Sequence, residues 1–181
     1  MQNFEYYTPT RVLFGRGTQQ KVGEIIKEYG YKKVLLHYGG GSIKRSGLYD
    51  TVTASLRESG IDFIELGGVE PNPKLSLVRK GAQLCKDEGI ELVLAVGGGS
   101  VMDAAKLASI LSTDRYSVHD LLDEPTLGRK FVKTVMIPTT AGTGSEATPN
   151  AIVAVPEKEL KIGIVNEEMI ADYVILDVRM V

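Results

Sequence analysis

Cysteine is nearly missing from this chain. Cys85 stands alone among 181 residues, so no internal disulfide can form and a reducing compartment is expected. Histidine is almost as scarce: His37 and His119 lie far apart without a spaced cluster of acids, and they form no metal-ligand pattern. No apolar run reaches membrane-spanning length, and the start Met1-Gln2-Asn3-Phe4-Glu5 lacks the charged and apolar regions of a secretory signal. A cytoplasmic protein with no membrane partner is expected. Positive charge is not in excess either. The net charge is −2 with both signs interspersed, so no basic face for nucleic acid is implied. Linkers and low-complexity tracts are also lacking, and residues 1–181 read as one domain.

Glycine, by contrast, is plentiful, with 20 residues that cluster after apolar runs. The clearest case is Leu92–Val96, five apolar residues that predict a buried parallel strand, followed by Gly97-Gly98-Gly99. Ser100 and Asp103 stand in the S-x-x-D relation of a helix cap, and an Ala-rich helix is expected beyond them. A strand, a bare loop and a helix N-terminus make an anion site, because free amides and the positive end of the helix dipole face the loop. The ligand this suggests is a nucleotide pyrophosphate; the plainer alternative is a tight turn that binds nothing.

Other segments alternate in the same way. Strands are predicted at Arg11–Phe14, Lys33–Tyr38, Asp62–Leu66, Thr134–Ile137 and Tyr173–Leu176. Helices are predicted after Thr18 as cap, over Leu48–Glu58, and after Asn72-Pro73 as N-cap and first helical position, the last burying Leu75, Val78, Ala82 and Cys85. A short helix is expected around Val118–Leu122, and Asn150–Val155 with Leu160–Val165 reads as a hairpin. Alternating strands and helices define an α/β fold: a mainly parallel, Rossmann-like sheet with helices on both faces, plus a hairpin near the C-terminus. Ligands then bind beyond the carboxyl ends of the strands. Three strands end there in glycine- or threonine-rich loops, after Tyr38, Val96 and Ile137.

Each loop suits one part of a dinucleotide. Gly39-Gly40-Gly41-Ser42 nearly copies the later triplet, and no carboxylate lies between Tyr38 and Arg45 to bond a ribose 2′-OH. Ser42, Lys44 and Arg45 could instead receive a 2′-phosphate, which favours NADP over NAD; Lys44 and Arg45 could equally form a solvated helix start. Gly97–Ser100 would hold the pyrophosphate. Thr139, Thr140 and Thr143 suit the nicotinamide ribose and carboxamide, although threonines after a strand also serve turns. Asn72 could bond a ribose or amide group. His37 and Cys85 read as core residues and His119 as exposed, and no catalytic residue is assigned.

Three stretches carry a family resemblance: Gly67–Pro73, Gly97–Lys106 (GGGSVMDAAK) and Ile137–Glu146 (IPTTAGTGSE). Together they resemble the iron-containing (group III) alcohol dehydrogenases, and Tyr38–Gly47 is similar to the butanol dehydrogenase branch. The resemblance implies hydride transfer between NAD(P)H and an aldehyde or primary alcohol. It also implies pyrophosphate contacts from Gly98, Gly99, Ser100 and Asp103. Further cofactor contacts would come from Asn72, Thr139, Thr140, Thr143, Asn150 and Lys161, the last on the nicotinamide side. In the family a separate helical domain holds Fe2+ or Zn2+ through an aspartate and three histidines, which would come after Asp177. This chain matches the cofactor-binding half alone, with no metal ligand of its own. An isolated half is expected to turn over aldehyde negligibly and to pair as a homodimer, with Phe4–Phe14 as a candidate edge. Other readings are a non-catalytic nucleotide-binding or regulatory module, or a differently dedicated member of the dehydroquinate synthase-like superfamily.

Overall fold

A computed structural model describes residues 3, 5 and 7–180. Met1, Gln2, Phe4, Tyr6 and Val181 lie outside the described residues, and with them the start of the expected N-terminal edge. Six strands form one sheet: β1 (Arg11–Phe14), β2 (Lys33–Gly39), β3 (Asp62–Val69), β4 (Leu92–Gly97), β5 (Lys133–Pro138) and β8 (Tyr173–Leu176). Their order is β1-β8-β5-β4-β2-β3, and every neighbouring pair is parallel. A hairpin of β6 (Asn150–Val155) and β7 (Leu160–Val165) stands apart as a second, antiparallel sheet.

Side-chain alternation explains why helices cover both faces. On β4, Val93 and Ala95 join one core with α4 (Leu75–Asp87) and α5 (Gly99–Leu111). Leu92, Leu94 and Val96 join the opposite core with α1 (Val22–Glu28) and α3 (Leu48–Glu58). Two shorter helices complete the set, α2 (Ser42–Arg45) and α6 (Val118–Asp123), the latter closed by a reciprocal Ser117–Asp120 capping box. Because α5 runs through the first core, ten of its thirteen residues are buried, including Lys106.

Three local expectations are corrected. Thr18 does not cap a helix: it opens a short 3-10 turn, and its hydroxyl donates to the Gly15 carbonyl (3.0 Å). Asn72 is not an N-cap either. It adopts a left-handed backbone (φ 57°), and α4 begins only at Leu75. The cause is a long-range contact, since the Ala154 amide of β6 donates to the Pro73 carbonyl (2.9 Å) and Lys74 bridges to Ala154. The chain is held extended there and cannot yet turn into a helix. Likewise Ser100 is not a cap: Gly98 takes the cap position of α5 without a side-chain bond, which puts Ser100 inside the first turn.

Candidate functional site

All six parallel strands point their carboxyl ends one way, and the direction of winding changes between β2 and β4. The chain moves outward from β2 to β3, then returns to the far side of β2 with β4 and continues to β5. A crevice at such a reversal is where ligands bind in open α/β sheets. The Gly39–Ser42 loop and the Gly97–Ser100 loop leave the two strands that flank it, β2 and β4, which pair from Val34↔Leu92 to Tyr38↔Val96.

Two cavities open at this edge. The larger, about 410 Å³, is lined on one side by Asn72, Pro73, Gly99, Ser100 and Asp103. Its opposite wall is Thr143, Ser145, Thr148, Asn150, Ile152 and Lys161. The smaller, about 290 Å³, lies between Ser42 with its α2 neighbours Ile43 and Ser46, Thr139 and Thr140 of the loop after β5, and Arg179. The loop after β5 links them, because its Thr140 and Thr143 lie against Gly98 and Gly99. Added Cβ atoms there would sit 3.1 Å from Thr140 Oγ1 and 3.2 Å from Thr143 Cβ. These are tight distances, so a side chain at either position would push the threonines back by a few tenths of an ångström from the backbone they now close over. The first amides of α5 have no intrahelical acceptor, so they and the dipole present positive charge to the cavity. These amides form a cradle whose donors and charge suit an anion.

The sequence-expected residues divide between the cavities. Asn72, Gly99, Ser100, Asp103, Thr143, Asn150 and Lys161 line the larger one; Ser42, Thr139 and Thr140 line the smaller; Gly98 lies between them against Thr140. Gly39, Gly40, Gly41 and Lys44 line neither. The Lys44 ammonium sits 5.2 Å from the Tyr38 ring centroid and 4.7 Å from that of Tyr49. Glu65 completes this cluster by accepting from the Tyr38 and Tyr49 hydroxyls (2.7 and 2.6 Å). Burial alone would raise the Glu65 pKa, but the Tyr49 and Tyr38 hydroxyls and Lys44 bring it below the usual carboxylate range. The same bond pushes the Tyr49 phenol up to about 12.

Asp103 faces two ways. Its side chain borders the larger cavity, yet both carboxylate oxygens are engaged: Oδ1 accepts from Ser145 Oγ (2.6 Å) and Oδ2 from the Ile152 amide (3.0 Å). Sequence reasoning overlooked Ser145, Thr148 and Ile152 as wall residues. Ser145 was within reach, since it ends the threonine-rich stretch, but nothing local marks Thr148 or Ile152. His37 is a core residue as expected. Burial drops its pKa to about 4, against the backbone bond of Nδ1 to the Leu66 carbonyl (2.8 Å). Burial also pushes the Cys85 thiol up to about 11, and His119 is exposed. No group of three or more His, Cys, Asp or Glu side chains able to hold a metal ion occurs among the described residues. No helix among them is long and apolar enough to cross a membrane.

Fold and site together define a parallel α/β protein with a glycine loop and a helix N-terminus at its topological switch point. The chain belongs to the iron-containing alcohol dehydrogenase family, whose model matches residues 9–178. It is 41% identical over 177 residues to NADH-dependent butanol dehydrogenase A of Clostridium acetobutylicum, covering 98% of this chain and 45% of that protein. It is 34% identical over 157 residues to the NADPH-dependent aldehyde reductase YqhD of Escherichia coli, covering 85% of this chain and 40% of the reductase. Among solved structures, NADH-dependent butanol dehydrogenase A from Thermotoga maritima superposes with a TM-score of 0.92 at 38% identity, over 98% of this chain and 44% of that one. The chain therefore spans less than half the length of the relatives it matches.

Proposed function

We propose that this chain is the dinucleotide-binding half of an NAD(P)-dependent alcohol dehydrogenase that interconverts primary alcohols and aldehydes. The observation that carries the reading is the cradle at the N-terminus of α5, set between the loops of β2 and β5. In the proposed seating, Gly98, Gly99 and Ser100 hold the pyrophosphate. The adenosine half lies toward Ser42 and the Gly39–Ser42 loop, and the nicotinamide half toward Asn150 and Lys161. NADP is the favoured cofactor and NAD the alternative, because the loop after β2 carries no carboxylate and the nearby Glu65 is already bound by two tyrosine hydroxyls. Relatives named for NADH and for NADPH both occur, so the cofactor is a matter for measurement.

A bound nicotinamide would supply or accept the hydride, and this chain's part would be to bind and orient that ring. The described residues do not fit a metal site, and in this reading the metal of the family is held by residues outside this chain. Reduced nicotinamide is itself fluorescent, so fluorescence titration is a direct test. Saturable binding of NADPH, tighter than that of NADH, is expected, with negligible aldehyde-dependent oxidation. Failure to bind either nucleotide would overturn the reading, and brisk aldehyde turnover by this chain alone would overturn the division of labour. We also propose pairing of two copies along β1, an edge strand that exposes Val12 and Phe14 (58% and 66%). Light scattering that shows only monomer at high concentration would remove that proposal.

A further inference from the structure

The larger cavity has two walls from distant parts of the sequence, and one buried cation joins them. Lys106 is fully buried (0% exposed) in the middle of α5. Its ammonium donates to the carbonyls of Ser145 (2.7 Å), Thr148 (3.2 Å) and Asn150. One turn earlier on the same helix, Asp103 lies 3.5 Å from that ammonium and bonds Ser145 Oγ and the Ile152 amide. Burial lowers the Lys106 pKa, while Asp103 and then Glu146 pull it back up.

We infer that Lys106 is a positioning residue of the nucleotide cleft, which with Asp103 fastens the wall of residues 145–152 to the helix that forms the phosphate cradle. An ammonium has three protons, and three carbonyls take them, so Lys106 has no donor left for a ligand. It acts through the backbone it holds. Those carbonyls leave Ser145, Thr148 and Asn150, three of the residues that face the cavity. Asp103 completes the strut: a carboxylate turned toward pyrophosphate would repel it, and here both oxygens are occupied by the opposite wall. The pair thus sets the width of the cleft, and Asp103 bonds the wall where the family resemblance implies a pyrophosphate contact.

The inference rests on the proposed dinucleotide reading only for its ligand measurements. The test compares wild type with Lys106→Met and with the double variant Asp103→Asn/Lys106→Met. The double variant removes both charges and avoids leaving a buried carboxylate unpaired. Hydrogen exchange should quicken about tenfold or more in 145–152 while β4 stays protected. The dissociation constant for NADPH should rise about tenfold, and that for adenosine 2′,5′-bisphosphate, which has no nicotinamide half to meet the wall of residues 145–152, should stay within about twofold. Exchange that is unchanged, or that rises evenly across the sheet, would overturn the strut, as would equal weakening for both ligands. Should wild type bind neither nucleotide, the proposed function fails, and the exchange data still decide whether Lys106 holds the wall.

Discussion

Two loops of this molecule begin with the same four residues, Gly-Gly-Gly-Ser, and meet different ends. After β4, Gly97–Ser100 runs into a helix of 13 residues that is buried along most of its length. After β2, Gly39–Ser42 runs into a helix of only four residues. The residues beyond the glycines decide the outcome. Val101, Met102, Ala104 and Ala105 enter a core. In the other loop, Ile43 alone of the four helical residues is buried, and Gly47, with a left-handed backbone (φ 78°), ends the turn before α3 begins. Only one loop is roofed: the threonines after β5 close over Gly98 and Gly99, whereas a Cβ on Gly40 would meet nothing within 4 Å. A glycine triplet permits close approach, and the neighbours supply the reason for it.

The contrast can be broken first through pH. His37 of β2 pairs in register with Ala95 of β4, so only the first strand carries a buried titratable group at this level. Its folded pKa of about 4 lies below the unfolded value, so the unfolded chain binds more protons. Stability should therefore be unaffected above pH 6.5 and fall as pH drops through 6.5 toward 4, by about 3 kcal/mol in all. Urea denaturation at several pH values measures this slope, and His37→Gln should flatten it. An unchanged slope in that variant would place the acid sensitivity elsewhere.

Next in size, Gly99→Val drives a side chain into Thr143 and should weaken NADPH binding about tenfold, or about 1.4 kcal/mol, in titrations of folded protein. Lys44→Ala removes a cation from two tyrosine rings and should lower stability by about 0.5–1 kcal/mol. If Lys44 also meets a 2′-phosphate, NADPH affinity falls while NADH affinity holds; parallel titrations separate the two roles. Gly40→Ala should be the mildest change, within about 0.5 kcal/mol in stability and without measurable effect on binding. A large loss there would mean that this loop, too, is approached closely by the ligand.

Where the sequence was legible, the signal was local. The hairpin at Asn150–Val155 and Leu160–Val165 shows in alternation around Pro156, and its bounds match the structure. Leu92–Val96 shows in its unbroken apolar run, and the three loops converge as the parallel topology requires. The misreadings at Asn72 and at Ser100 with Asp103 share one cause. Asn72 looked like a cap, and a hairpin strand some eighty residues further along the chain fixes it otherwise. Ser100 and Asp103 looked like a local pair, but Asp103 is taken by Ser145 and Ile152. Lys106 ends the GGGSVMDAAK stretch without any hint of burial, because its three acceptors belong to a segment some forty residues away. Polar side chains with distant partners leave no periodic trace.

The neighbourhood of β1 has a consequence for the order of assembly. Among the described residues Arg11–Phe14 pairs only with Tyr173–Leu176, and β8 in turn leans on β5 through Val135 and Met136. During synthesis β2, β3, β4 and β5 can find their neighbours while β1 waits, because β8, the strand it must dock against, follows all four in chain order. Closing so long a loop is slow, and until it closes both backbone edges of β1 lie open to other chains, in addition to Val12 and Phe14, which stay exposed once it has docked. Among the described strands of this sheet, β1 and its partner β8 are the pair farthest apart along the chain.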